Sequence, residues 1–124
     1  MNKQRIVNLN LLTIQYPLTA IASILHRLSG IFIFLLISFL LWIFDTATKN
    51  ISGYEFIYIL LSNNIAKFIL WLFLFAFSYH FFAGIRHLLM DIGFGESLKS
   101  ARGSAKMTLI LTFLMALIMG IWLW

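Results

Sequence analysis

The chain has no cysteine, a single proline (Pro17) and only four acidic residues, Asp45, Glu55, Asp91 and Glu96, among 124. Without cysteine there is no disulfide, thiolate nucleophile, iron–sulfur ligation or c-type haem attachment within the chain. Asp45 and Asp91 both stand at the ends of apolar runs, which weakens any reading as a buried proton relay. Charged residues of both signs make up 10% against 62% hydrophobic, too few to cover the apolar surface of a soluble domain of this size. The solvent is therefore largely lipid. The formal net charge is +5, but the basic residues are scattered around apolar runs, as topology determinants and headgroup contacts are. No nucleic-acid partner is implied. The polar opening Met1-Asn2-Lys3-Gln4-Arg5, with Arg27 interrupting the apolar residues that follow, argues against a cleaved signal peptide and against an organelle transit sequence.

What is present is long and apolar. Residues 28–44, 68–85 and 107–124 contain no Asp, Glu, Lys or Arg, giving runs of 17, 18 and 18 residues. Each is near the lower limit of the roughly 17–25 residues that span hydrocarbon. Extending the first back towards Pro17, which suits a first helical turn, and the second on to Asp91 gives comfortable spans. The expected fold is all-α: one membrane-anchor domain over 1–124 with three transmembrane helices at approximately 20–45, 65–91 and 105–124. Tyr54–Leu61 reads as a short interfacial helix between the first two spans. Asn50-Ile51-Ser52-Gly53 and Ser62-Asn63-Asn64 punctuate the same connection, and Gly93, Gly95 and Gly103 the next.

Lys3, Arg5 and Arg27 on the N-terminal side, with Arg86, Lys99, Arg102 and Lys106 after the second span, outnumber Lys49 and Lys67 between the first two. That asymmetry places the N-terminus inside and the C-terminus outside. Trp42, Trp71, Trp122 and Trp124 then fall near the outer boundary, as an aromatic belt does. The third span has no ionisable group and no polar stripe beyond Thr108 and Thr112, which suits packing and shielding.

All three histidines lie in two stretches, Ser23-Ile24-Leu25-His26-Arg27-Leu28-Ser29-Gly30 and His80-Phe81-Phe82-Ala83-Gly84-Ile85-Arg86-His87, the latter followed by Asp91. On a helix Ser23, His26, Arg27 and Gly30 share a face, and so do His80, Gly84, His87 and Asp91. Antiparallel helices bring both stripes towards the inner side of the bilayer, Arg27 level with His87 and His80 roughly 10 Å deeper. A haem iron suits that arrangement: His80, among Phe77, Phe81 and Phe82, offers an imidazole in a dry place. Arg27, His87 and His26 offer partners for the propionates, while Gly84 and Gly30 admit a macrocycle edge or close helix packing. His26 and His80, at different depths, do not make an axial pair, so a second protein is expected to supply the other histidine. Each residue also has a plainer reading. A buried histidine can bond a neighbouring helix, Arg27 and Arg86 can snorkel, Ser23 can bond its own i−4 carbonyl, and Asp91 can pair with Arg86 or Lys99.

The first stretch resembles the S-I-x-H-R-x-[ST]-G signature of the cytochrome b556 family, the larger membrane anchors of succinate dehydrogenase, respiratory complex II. His80-x-x-x-Gly84-Ile85-Arg86-His87-Leu88-x-x-Asp91 resembles that family's second signature, and the lead-in from Asn8 through Ala22 its N-terminal approach. Where many relatives carry R-P-x-S-P-H-L, this chain has Arg5-Ile6-Val7-Asn8-Leu9-Asn10-Leu11, so no role is carried over for that histidine. The resemblance implies that His80 is an axial ligand of haem b, that Ser23 and Arg27 line the ubiquinone site, and that His26, Arg27, Gly84 and His87 lie at the haem periphery. It also implies a second anchor subunit completing the helical bundle, an iron–sulfur subunit and a flavoprotein subunit, while the lack of a transit sequence favours a bacterial inner membrane. The alternatives are a fumarate reductase anchor running the reverse reaction, a haem-free structural subunit, and a transporter subunit with a His/Asp relay.

Overall fold

A computed structural model describes residues 16–124. Residues 8–15 of the lead-in resemblance lie outside the described residues. Four helices follow one another with little between them: α1 (Leu18–Lys49), α2 (Ile51–Ser62), α3 (Asn64–Asp91) and α4 (Leu98–Leu123). Of these α1, α3 and α4 are long and apolar enough to cross a membrane. The chain is a multi-pass membrane protein.

The helix boundaries follow from side-chain chemistry. Pro17 stands at the start of α1, where its carbonyl accepts from the amides of Ala20 and Ile21. Asn50 ends α1 and caps α2, its Oδ1 accepting from the Gly53 amide at 2.7 Å. Asn63 does the same for α3 through the Ile65 amide at 2.8 Å, and Ser97 for α4 through the Ser100 amide at 3.3 Å. The α3–α4 connection uses Gly93 (φ 88°) and Gly95 (φ 78°), left-handed positions that suit glycine.

Three loop expectations change here, the first being Gly103, which lies within α4 and not in the connection before it. Ser52 and Gly53 belong to the first turn of α2, not to a loop. A Cβ on Gly53 would run into the Thr46 carbonyl oxygen, so the glycine lets α2 fold tightly against the end of α1. The first long helix also runs on past Asp45 to Lys49, where the exposed Lys49–Asp45 pair at 3.1 Å decorates its last turn.

α3 is the central element, flanked by α4 and α1. The buried residues of α4 are all small, namely Ala101, Ala105, Thr108, Thr112 and Ala116. Small residues let membrane helices approach closely when no hydrophobic force drives them together. Ser104, Thr108 and Thr112 return their hydroxyls to α4's own backbone, so the stripe enters the interface without orphaned donors. The Thr108 and Thr112 pair read from the sequence is thus continued one turn back by Ser104, at the start of α4 before the charge-free run.

Polar pins from α3 reach both neighbours. Trp71 Nε1 donates to the Ala116 carbonyl at 2.8 Å, and a Cβ on Gly120 would lie 3.3 Å from the same nitrogen. Trp71 is thus an interhelical clip and not simply a belt residue. Tyr79 donates to the Ala22 carbonyl of α1 at 2.8 Å. Arg86, expected to snorkel, is instead only 6% exposed and donates to Ser104 Oγ at 3.0 Å and the Ala101 carbonyl at 3.3 Å. No acidic partner is needed, because α4 offers two neutral acceptors at the right height.

Candidate functional site

The three histidines converge where α1 crosses α3. The His26 ring stacks on His80 with centroids 4.3 Å apart and planes 16° from parallel, and its other neighbour is His87 at 5.0 Å and 35°. His80 and His87 are two turns apart on α3, a rise of about 10 Å. The His26 ring enters the gap between them, over Gly84, where a Cβ would lie 3.5 Å from its Nε2.

The His26 and His80 rings are therefore much closer than the levels of their backbones suggest, and stacked with near-parallel planes they do not face each other as a ligand pair. Residue counts give the rise of the backbone, whereas helical side chains lean along the axis and cover the neighbouring turn. His80 is also not lodged among Phe77, Phe81 and Phe82. Phe77 and Phe81 are largely exposed on the outer surface of the helix, and the imidazole instead faces α1.

The two glycines make this packing reciprocal. Gly30 on α1 faces the His80 ring, and a Cβ there would lie 3.0 Å from its Cε1. Gly84 on α3 faces the His26 ring. Each helix omits a side chain where the other inserts an imidazole.

Hydrogen bonds fix His80 further. Its Nδ1 lies 3.1 Å from the His26 carbonyl oxygen and 3.2 Å from Ser29 Oγ, while Ser29 donates its hydroxyl to the same carbonyl at 2.8 Å. Ser29 is buried and was absent from the stripe read on the sequence; its place three residues after His26 and beside Gly30 was the available signal. Tyr79 was likewise missed, since a tyrosine in an apolar run has no distinguishing pattern.

Ser23 and Arg27 lie one turn apart on α1, Ser23 half-buried and Arg27 exposed. Ser29 and Ser78 bond to backbone carbonyls of their own helices. Among the described residues Ser23 makes no such bond, to its i−4 carbonyl or elsewhere, and Arg27 has no hydrogen-bond or ion-pair partner. Asp91 is exposed at the end of α3 and pairs with neither Arg86 nor Lys99.

Residues 1–119 match the model of the succinate dehydrogenase/fumarate reductase transmembrane subunit family. The chain belongs to that family. It is 38% identical to the succinate dehydrogenase cytochrome b556 subunit of Coxiella burnetii over 125 residues, the whole of both chains. It is 32% identical to the subunit of that name from Rickettsia prowazekii over 112 residues, covering 89% of this chain and 86% of the relative. The succinate dehydrogenase cytochrome b560 subunit of Reclinomonas americana is 31% identical over 126 residues, covering 95% and 85%. In this chain the histidine cluster sits on α1 and α3, the helices that carry the stretches Ser23–Gly30 and His80–His87.

Proposed function

We propose that this chain is the membrane-anchor cytochrome b subunit of a succinate:ubiquinone oxidoreductase, helping to hold haem b and ubiquinone where electrons from succinate oxidation reach the membrane. The observation that carries the reading is the environment of His80. Its Nδ1 faces the His26 carbonyl at 3.1 Å, which leaves Nε2 as the ring nitrogen available to iron.

The donor set fits a haem. Among the described residues no group of three or more His, Cys, Asp or Glu side chains is arranged to hold a metal ion. A porphyrin supplies four nitrogens of its own and asks the protein only for axial ligands. His80 would hold the iron from this chain, with a histidine of a second anchor subunit as the further ligand. When bound, the haem supplies a one-electron store close to the quinone. His26, Arg27 and His87 provide its polar periphery, with Gly84 making room for the His26 ring.

Ser23 and Arg27 suit the quinone. The unengaged Ser23 hydroxyl donates to a quinone carbonyl oxygen, and the Arg27 guanidinium stabilises the negative charge that develops there on reduction. The flavoprotein and iron–sulfur subunits oxidise succinate and deliver electrons on the inner, cytoplasmic side of a bacterial membrane. The N-terminus lies on that side and the C-terminus on the periplasmic side. A second anchor is supported by the surface of α1: only 6% of its apolar window is buried, leaving a long face for lipid and a partner helix. The names of the relatives favour succinate oxidation over fumarate reduction.

The test is a split assay on membranes carrying the whole complex with Ser23→Ala or Arg27→Leu. Succinate-driven reduction of a ubiquinone analogue falls by roughly a hundredfold, while reduction of a soluble dye by the succinate-oxidising subunits persists. Loss of both activities together, or of neither, contradicts the quinone assignment.

A further inference from the structure

We propose that Ser29 is a positioning residue for His80, setting the tautomer, orientation and donor strength of its imidazole. The inference rests on His80 being the iron ligand and adds the residue that prepares it for that role.

A backbone carbonyl oxygen can only accept a hydrogen bond. With the His26 carbonyl 3.1 Å from His80 Nδ1, a neutral His80 carries its proton on Nδ1 and its lone pair on Nε2. The Ser29 hydroxyl hydrogen is already committed to the same carbonyl, at 2.8 Å. The Ser29 oxygen, 3.2 Å from Nδ1, therefore presents a lone pair to the His80 N–H and not a competing proton. The Nδ1 proton is shared between two acceptors, and the three groups close a small ring of hydrogen bonds.

The surroundings keep this ring intact. Ser29 is buried, so water does not replace it. The bare backbone of Gly30 lets the imidazole approach α1 closely, and the His26 ring stacks on it. The unit His26-Arg27-Leu28-Ser29-Gly30 thus supplies a carbonyl, a hydroxyl and a gap, all directed at one histidine of α3.

An imidazole that donates from Nδ1 is a stronger donor at Nε2, because the hydrogen bond moves the ring towards imidazolate character. A stronger donor favours the ferric state of bound iron. Removing the Ser29 acceptor while leaving the His26 carbonyl in place therefore raises the reduction potential of the haem.

The experiment is a redox titration of the b-type absorption, with the low-spin electron paramagnetic resonance spectrum, on membranes containing the whole complex. Native protein is compared with Ser29→Ala, Ser29→Thr and His80→Ala. Ser29→Ala is expected to move the midpoint upward, with a several-fold larger reduced-to-oxidised ratio at the native midpoint, and to displace the g values. Ser29→Thr, which keeps the hydroxyl, returns both to native values. Haem lost in Ser29→Ala and regained in Ser29→Thr also supports the role. An unchanged or lowered midpoint in Ser29→Ala, or equal disturbance by both Ser29 variants, overturns it. Failure of the ligand reading is a separate result: the His80→Ala complex would then keep its native haem spectrum.

Discussion

Gly30 and His80 face each other across the α1–α3 interface so closely that a Cβ on the glycine would lie 3.0 Å from the imidazole Cε1. The corresponding distance at the other glycine, Gly84 to His26 Nε2, is 3.5 Å, an ordinary van der Waals contact. The two sites look alike in sequence and differ physically by half an ångström.

Gly30→Ala is therefore expected to push the His80 ring away from Ser29 and the His26 carbonyl, at about 1–3 kcal/mol for an overpacked interior. Gly84→Ala is expected to cost under about 1 kcal/mol. Haem content and thermal stability of the purified complex check this. Gly30→Ala lowers both, and an equal effect of the two substitutions would count against the asymmetry.

Arg86 holds α3 to α4 through Ser104 Oγ and the Ala101 carbonyl. Arg86→Leu loses both bonds and is expected to destabilise the complex in detergent by about 1–3 kcal/mol. Ser104→Ala, which leaves the Ala101 carbonyl as acceptor, loses about 0.5–1 kcal/mol. A double-mutant cycle on melting temperatures reads the coupling. Strict additivity would show that the Arg86–Ser104 bond contributes nothing.

The tryptophans divide by position. Trp71→Phe removes the bond to the Ala116 carbonyl and is expected to lower stability by about 1 kcal/mol. Trp122, 77% exposed, makes no such bond, and Trp122→Phe is expected to stay within about 0.5 kcal/mol of native. Thermal denaturation of the complex in one detergent compares the two directly.

Much of this arrangement is legible in the chain. Charge-free runs announce the three long helices, and Asn50, Asn63, Gly93 and Gly95 mark their junctions. The paired motifs single out Ser23, His26, Arg27, His80 and His87. The missing parts are those that depend on a second helix. Periodicity places His80 on a face but does not say which neighbour that face meets, so the phenylalanines beside it in sequence were mistaken for its surroundings. Counting rise along each backbone separated His26 from His80, although their rings stack at 4.3 Å. Arg86, near the end of an apolar run, reads as a snorkelling cation until α4 is seen to offer a hydroxyl and a carbonyl. Ser29 carries no periodic signal of its own, and its importance comes from the partner it meets on α3.

The most direct measurement is the dithionite-reduced minus oxidised absorption spectrum of membranes carrying the whole complex, native and His80→Ala. A b-type haem signal in the native membranes that is lost or shifted in His80→Ala is the expected result. A native complex without haem, or a His80→Ala complex with an unaltered haem spectrum, would contradict the assignment of His80 as the iron ligand.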